Sequence, residues 1–198
     1  MNANTLNQIF KTCIEDYHVH DSVIQEIQNP YPKEDILHLV YQKCWIDTVQ
    51  WHYEDLIRDP QIIPEDGMAL KGMIDSSNQS RTDIVEKIDD YFLEKFKSRG
   101  LEGATINTES PAWVIDRLSI LALKLFHMKE QVDRADASKK LVENSREKLE
   151  ILQEQQNDLS ISFDQLISDY ESGIKVMKVY RQMKLYNDPD TNPVLYKK

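Results

Sequence analysis

The sequence predicts an all-α protein, a bundle of about five long helices with a long C-terminal helix. Proline and glycine divide the 198 residues into five long segments, and within each segment apolar residues recur every three or four positions, which is the period of a helix. Alternating runs of β-branched residues, the usual sign of strands, do not occur. Five glycines and seven prolines are also too few for the many tight turns of a β-sandwich or barrel.

The first three helices are predicted over residues 5–27, 34–59 and 64–98. Pro30 and Pro32 end the first, because two prolines so close together cannot continue a helix. Pro60 follows the second, and Pro64 can open the third, where a missing N–H costs little. The second helix is apolar on more than one side, so we expect it near the centre of the core.

The fourth helix is predicted over residues 111–132 and the fifth over residues 137–186. The fourth is dense in apolar residues and is the second candidate for the centre of the core. The fifth has no proline and, if unbroken, would be about 70 Å long. It must then extend beyond the bundle, break near the polar residues 154–158, or pack on another subunit. We predict one domain over 1–198, with a four-helix part at 1–134, the long last helix at 135–186 and a turn-rich tail at 187–198.

The composition restricts the classes of partner. The chain has 24 Lys and Arg against 34 Asp and Glu, a formal charge of −10, which argues against a general nucleic-acid-binding protein. No apolar run approaches the roughly 18 residues of a membrane span. The first residues also lack the basic start and apolar core of a signal peptide. We therefore expect a soluble protein of the cytoplasm.

A polar interruption in the third predicted helix is the first candidate for a site. Between Ile74 and Ile84 the apolar seam passes through Ser77, Asn78 and Arg81. Burying such groups without partners costs roughly 1 to 3 kcal/mol each, and more for a charge, so partners must exist. The expected partners are acids: Asp47, Glu54, Glu109 and Asp116. Two interpretations stay open, namely a buried network of ion pairs that fixes helix register, or a polar pocket in which Arg81 or Arg117 holds a phosphate or carboxylate.

The candidate residues for ligand binding follow from the pocket interpretation. The loop before Pro111 ends at a helix N-terminus, a place suited to anions. No glycine-rich phosphate loop or nucleophile elbow occurs in the sequence. The candidate ligand-binding residues are Asn78, Arg81, Asp83, Glu109, Asp116 and Arg117.

The second predicted helix contains the candidates for metal binding. His52 and Asp55 are three residues apart, so they can share a metal ion on one helix face, and carboxylates of facing helices can complete such a site. The other interpretation is an oriented interior histidine. His127 is expected to be a packing residue, and His18 has no convincing partner pattern. The candidate metal ligands are Asp47, His52, Glu54 and Asp55.

Seven stretches of the sequence carry recognisable motifs, at residues 29–32, 45–52, 74–79, 81–83, 107–112, 115–119 and 183–189. Together they resemble a bacterial family of uncharacterised function, found in bacteria of the Bacteroides type. The family is associated with gene neighbourhoods of lipopolysaccharide glycosyltransferases, so the resemblance implies a cytoplasmic role in envelope glycan assembly. The resemblance implies no catalytic residues.

Three hypotheses of function result. The leading one is an accessory protein that binds a phosphorylated sugar or a glycosyltransferase partner. The rival is a hydrolase of nucleoside or sugar phosphates of an all-α kind, with Mg²⁺ held by acids that include Asp47, Glu54, Asp55 and Asp83. The third is a structural adaptor or homo-oligomer that associates through the last helix and has no small-molecule site.

Overall fold

The computed structural model of the chain describes residues 1–183, 185 and 188–197, and these residues form six helices. Within them there is no strand, and one isolated parallel bridge joins Thr105 to Lys175. The all-α prediction is confirmed. None of the described helices is long and apolar enough to cross a lipid bilayer. The helices are α1 (Ala3–His18), α2 (Ile36–Leu56), α3 (Pro64–Phe96), α4 (Pro111–Asp133), α5 (Lys139–Glu171) and α6 (Pro193–Tyr196).

Helices α2 and α4 lie at the centre of the bundle, as their apolar composition predicts. Helix α4 packs against α1, α2, α3 and α5, and α2 packs against α1, α3 and α4. Buried apolar side chains from each of the helices α1 to α5 form one continuous hydrophobic core. The two central helices therefore position most of the polar groups described below.

The helices begin where the sequence supplies a cap. Side-chain oxygens of Asn2, Asp35, Ser110 and Ser138 accept hydrogen bonds from backbone N–H groups in the first turns of α1, α2, α4 and α5. Such caps satisfy donors that have no partner within the helix. The predicted starts at 64 and 111 are confirmed.

Helix α1 is shorter than predicted. It ends at His18 rather than near residue 27. Asp21 has a φ of +48°, in the left-handed region that Asp and Asn tolerate better than most residues, and the N–H of Asp21 donates to the carbonyl of Tyr17 at 3.0 Å. The chain thus turns away before α2.

Helix α5 also differs from the prediction. It runs unbroken through residues 154–158 but ends at Glu171, whereas the prediction extends it to residue 186. The observed helix is therefore about 50 Å long instead of about 70 Å. Gly173 has a φ of +74°, and the N–H groups of Gly173 and Ile174 donate back to the carbonyls of Tyr170 and Asp169 at 3.2 and 2.9 Å. This is a Schellman ending, which glycine favours because it has no Cβ. Of the predicted tail, residues 188–197 are described, and they include α6.

After α5 the chain runs back toward α3. The N–H of Leu101 donates to the carbonyl of Gly173 at 3.0 Å, and the N–H of Val176 donates to the carbonyl of Thr105 at 2.9 Å. Further on, Nη2 of Arg181 donates to Oδ1 of Asp90 at 2.5 Å. These contacts attach the segment to the bundle.

Asp89 of α3 is a buried carboxyl group beside the start of α4. Its side chain is 2% exposed, and burial raises its pKa to about 6, although a hydrogen bond with Ser110 opposes that rise. The folded protein therefore holds a proton on Asp89 more tightly than the unfolded chain does. The charged carboxylate costs about 3 kcal/mol above pH 6, and the cost disappears as the pH falls from about 6 toward 4.

We expect Asp89→Asn to stabilise the protein by about 1 to 2 kcal/mol at pH 7.5 and to have little effect at pH 4.5, since the amide carries no charge to desolvate. Urea unfolding followed by circular dichroism at both pH values measures the difference. Asp83→Asn, on the exposed side of the same helix, is the control and should change stability by less than about 0.5 kcal/mol. An equal effect of Asp89→Asn at the two pH values would contradict the interpretation.

Candidate functional site

A buried lysine lies at the centre of the bundle. Lys43 of α2 is completely buried, and its Nζ makes an ion pair with Asp47, one turn further along the helix. The same Nζ lies 2.9 Å from Oδ1 of Asp116 on α4 and donates to the backbone carbonyl of Asp116 at 2.9 Å. Asp47 also accepts a hydrogen bond from Oγ of Ser119 at 2.5 Å. Three oxygens thus lie around the ammonium group, as a buried charge requires.

Arg81 of α3 completes the arrangement. Its Nε and Nη2 donate to the two carboxylate oxygens of Asp116 at 2.7 and 2.5 Å, and its Nε lies 3.4 Å from Oδ1 of Asp47. This is the bidentate pairing that the planar guanidinium favours. Lys43, Asp47, Arg81 and Asp116 form what we call the four-charge network, in which two positive and two negative groups balance.

The network keeps Asp116 ionised. Burial alone would raise the pKa of Asp116, but the charges of Lys43 and Arg81 hold it below its usual value. Burial raises the pKa of Asp47, and the ammonium of Lys43 opposes that rise. The network joins α2, α3 and α4 through these contacts.

Two cavities that share Trp51 and Asp55 lie beside the network, and we call them together the Trp51 groove. The first, of about 330 Å³, is also lined by Arg81 and Asp47 and by apolar residues of α4. The second, of about 550 Å³, lies between α2, α4 and α5. It is lined by Trp51, Asp55, Lys124, His127, Met128, Gln131, Lys148, Ile151 and Leu152. Mostly apolar walls with a few polar groups are typical of small-molecule sites.

Three histidines converge next to this groove. His18 at the end of α1, His52 on α2 and His127 on α4 each place one ring nitrogen within 4.8 Å of the others. Among the described residues, no other set of three or more His, Cys, Asp or Glu side chains converges in this way. His127 also stacks on Trp51, with ring centroids 4.9 Å apart. The groove and the histidine cluster thus share a wall.

One family model matches the chain, over residues 37–179, and its description is a protein of unknown function, DUF4254. The chain belongs to the DUF4254 family. The resemblance to a family of unknown function is confirmed. No curated protein and no solved structure matches the chain. In this DUF4254 protein the matched residues contain the four-charge network and the Trp51 groove, and they exclude α1.

The structure of the DUF4254 protein places two of the expected acids, Asp47 and Asp116, against Arg81. The other two lie elsewhere. Glu54 pairs with Arg58 on the surface of α2 at 2.8 Å. Glu109 pairs with Arg117, an exposed contact that borders a separate cavity. Of the two interpretations of the polar interruption, the contacts fit the ion-pair network.

The remaining polar groups of the interruption also have partners. Oδ1 of Asn78 accepts a hydrogen bond from Nε2 of Gln50 at 2.9 Å, and Oγ of Ser77 donates to Oε1 of Gln50 at 3.0 Å. Asp83 is exposed and accepts from Gln79 at 2.7 Å. Asn78, Asp83, Glu109 and Arg117 are therefore not gathered with Arg81 in one pocket.

The metal candidates on α2 fall into two groups. Asp47, Glu54 and Asp55 all line the smaller cavity of the groove, Asp47 as a member of the network, whereas His52 converges with His18 and His127. Lys43 is not among the predicted site residues, and only its position in a helix apolar on several sides could have indicated it. The convergence of His18 and His127 on His52 is likewise not predicted, since no spacing in the sequence connects them.

Proposed function

We propose that this DUF4254 protein is a cytoplasmic accessory protein that binds a small phosphorylated ligand, of the sugar-phosphate class, in the Trp51 groove. The observation that carries the proposal is a pair of lysines at this groove. Lys124 of α4 and Lys148 of α5 both line the larger cavity, and neither makes an ion pair or a side-chain hydrogen bond in the part of the chain that the structure describes.

Two free ammonium groups on an apolar cavity suit a phosphorylated ligand. No carboxylate pairs with either lysine in the described chain, so both are available to an anion from outside. Lysine binds phosphate as a mobile point charge. The indole of Trp51 offers a flat apolar surface for a sugar ring or a base. The cavity volume of about 550 Å³ lies within the usual range of ligand pockets, about 300 to 1,000 Å³.

We assign phosphate binding to Lys124 and Lys148 and not to Arg81. The guanidinium of Arg81 already holds Asp116 with two hydrogen bonds, so a phosphate would have to displace a carboxylate that is nearly buried. Breaking such a pair costs several kcal/mol, about 3 to 5 in comparable cases. Arg81 and Asp116 instead support the wall of the smaller cavity.

Envelope polysaccharide synthesis is the process we propose for this ligand, and a glycosyltransferase is the partner that would use it. The resemblance to bacterial proteins associated with lipopolysaccharide glycosyltransferase genes supports this choice. The Mg²⁺-dependent hydrolase is not proposed. Asp47, Glu54 and Asp55 line the smaller cavity, but among the described residues no three of the four acids, Asp83 included, bring carboxylate oxygens within 4.8 Å of one another. Association through α5 alone is not proposed either, since α5 packs along α4 of its own chain.

Calorimetric titration of the protein with sugar phosphates, sugar nucleotides and inorganic phosphate tests the proposal. We expect a sugar phosphate or sugar nucleotide to bind, and Lys124→Ala and Lys148→Ala each to weaken binding roughly 10-fold, because each removes one charged contact to the phosphate. Lys140→Ala is the matched control, since Lys140 is exposed on α5 away from the groove.

Each outcome of the titration tests a different part of the proposal. Binding that Lys124→Ala and Lys148→Ala leave unchanged would place the ligand elsewhere and contradict the site. Failure of every phosphorylated sugar in the panel to bind would contradict the function. Binding of inorganic phosphate as tightly as of the sugar phosphates would remove the sugar from the proposal.

A further inference from the structure

The cluster of His18, His52 and His127 brings together three imidazole rings from three different helices. The ring centroids lie 5.3 Å apart for His18 and His52, 5.4 Å for His18 and His127, and 5.5 Å for His52 and His127. Tyr17 and Phe126 pack against the rings, and Tyr17 stacks on His52. Helix packing therefore holds the rings close together.

Hydrogen bonds to the outer nitrogens fix where the protons are. Nδ1 of His18 lies 2.7 Å from the carbonyl oxygen of Ile14, and Nδ1 of His127 lies 2.7 Å from Oε2 of Glu130. Both partners can only accept, so each Nδ1 must carry the hydrogen. The Nε2 atoms of His18 and His127 in their neutral forms then present lone pairs toward the centre of the cluster.

These inner nitrogens have no partner in the described protein. The Nε2 atoms of all three histidines are buried and make no hydrogen bond. Leaving a buried polar atom without a partner costs roughly 1 to 3 kcal/mol. Two lone pairs that face each other cannot satisfy one another, and one N–H from His52 could serve only one of them. A cation at the centre would satisfy all three at once.

We propose that His18, His52 and His127 bind one divalent transition-metal ion through their Nε2 atoms, with Zn²⁺ as the ion that fits best. Neutral imidazole is a preferred ligand of Zn²⁺, and three histidines are a known ligand set for this ion. Nitrogens that share a Zn²⁺ ion lie about 3.3 Å apart, since each Zn–N bond is about 2.0 Å. One ring nitrogen of each histidine already lies within 4.8 Å of the others, so the rings would move inward by about 1 Å to close on the ion.

The surroundings favour a bound metal in two further ways. A metal-binding histidine commonly donates its other N–H to a carboxylate or a carbonyl, which is the arrangement of His127 with Glu130 and of His18 with Ile14. Burial lowers the pKa of His52 and the neighbouring histidines add to that effect, against the carboxylate of Asp21, which favours the neutral ring that a metal ion needs.

A fourth ligand position has a candidate in Asp21. Its Oδ1 lies 3.7 Å from Nε2 of His52, and the left-handed backbone of Asp21 places it where the chain leaves α1. Three protein ligands and an open or exchangeable fourth position distinguish catalytic and regulatory zinc sites from closed structural ones. His127 also lines the Trp51 groove, so the ion would lie one ring away from the proposed ligand site. The proposed metal site does not depend on whether a phosphorylated ligand binds in the groove.

The test uses the full chain without an affinity tag, stripped with a chelator, loaded with Zn²⁺ or Co²⁺ and dialysed. We expect one metal ion per chain by mass spectrometry, and Co²⁺ should give the visible absorption of a low-coordinate site with nitrogen ligands. His52→Gln and His127→Gln should each weaken metal binding on the order of 100-fold or more. Glu130→Gln, which changes only the outer hydrogen bond, should weaken it about 10-fold.

His20→Gln is the matched control, because His20 is exposed two residues beyond His18. Absence of bound metal in the wild-type protein, or equal metal content in the His52→Gln and His20→Gln variants, would overturn the proposal. Should the ligand variants lose their helical circular dichroism, X-ray absorption on the Zn²⁺-loaded wild type decides instead. A first shell with three imidazoles is expected, and a shell without them would overturn the proposal. Titration of the metal-free protein with sugar phosphates tests the ligand proposal independently of the metal proposal.

Discussion

A Lys43→Met variant is expected to lose about 3 to 5 kcal/mol of its free energy of unfolding, the largest effect of any single substitution considered. Lys43 is completely buried and bridges Asp47 and Asp116. Removing its charge leaves two buried carboxylates with only Arg81 to balance them. Urea unfolding, followed by far-ultraviolet circular dichroism, measures the change.

A double-mutant cycle with Asp47→Asn distinguishes lost charge balance from lost packing. Each single variant unbalances the network, whereas Lys43→Met combined with Asp47→Asn leaves the neutral pair of Arg81 and Asp116. We expect the double variant to cost at least about 2 kcal/mol less than the sum of the two singles. Additive effects would contradict a charge-balanced network.

Lys71→Met is the matched control for Lys43→Met. Lys71 and Asp75 have the same spacing of four residues as Lys43 and Asp47, but they pair on the exposed surface of α3. Water screens such a pair, so its loss should cost less than about 0.5 kcal/mol. A similar loss in both lysine variants would show that burial is not the cause.

A Gly173→Ala variant is expected to lose roughly 3 kcal/mol or more. The backbone φ of Gly173 is +74°, and a Cβ there would lie 2.3 Å from the carbonyl oxygen of Arg99 and 2.9 Å from the side chain of Leu101. The end of α5 and the loop after α3 would have to separate, although hydrogen bonds join them. Thermal and urea unfolding measure the loss.

Variants at two other glycines distinguish the effect of the positive φ from the effect of the close Cβ contact. Gly103 also has a positive φ, of +81°, but no atom lies within 4 Å of its Cβ position, so Gly103→Ala should cost only about 1 to 2 kcal/mol. Gly72 lies inside α3 with the same open space, and Gly72→Ala should stabilise the protein by up to about 1 kcal/mol. Equal losses at Gly173 and Gly103 would exclude the close contact as the cause.

Strong local signals explain which helix bounds the sequence predicts. Helices α3 and α4 begin at the prolines expected, because proline fixes the backbone angle and, in α4, the side chain of Ser110 caps the first turn. Both helices end within two residues of the expected positions. Helices α1 and α5 were predicted too long. Their ends depend on left-handed residues, Asp21 and Gly173, inside runs that still have helical spacing.

The residues of the candidate site differ in whether the sequence could predict them. The pairing of Arg81 with Asp116 was predictable, since a polar group in an apolar seam requires a partner. Lys43 was not, because a lysine in a helix is almost always at the surface. The three histidines come from helices far apart in the chain, so only tertiary packing brings them together.

The first helix lies outside the residues that match the family, 37–179. Yet α1 contributes His18, and seven of its side chains belong to the common core: Ala3, Leu6, Ile9, Phe10, Cys13, Ile14 and Tyr17. A protein shortened to the matched residues would expose the apolar surface that these side chains cover and would lose one of three proposed metal ligands. We expect such a fragment to aggregate, so the limits of family resemblance are a poor guide to where this chain can be cut.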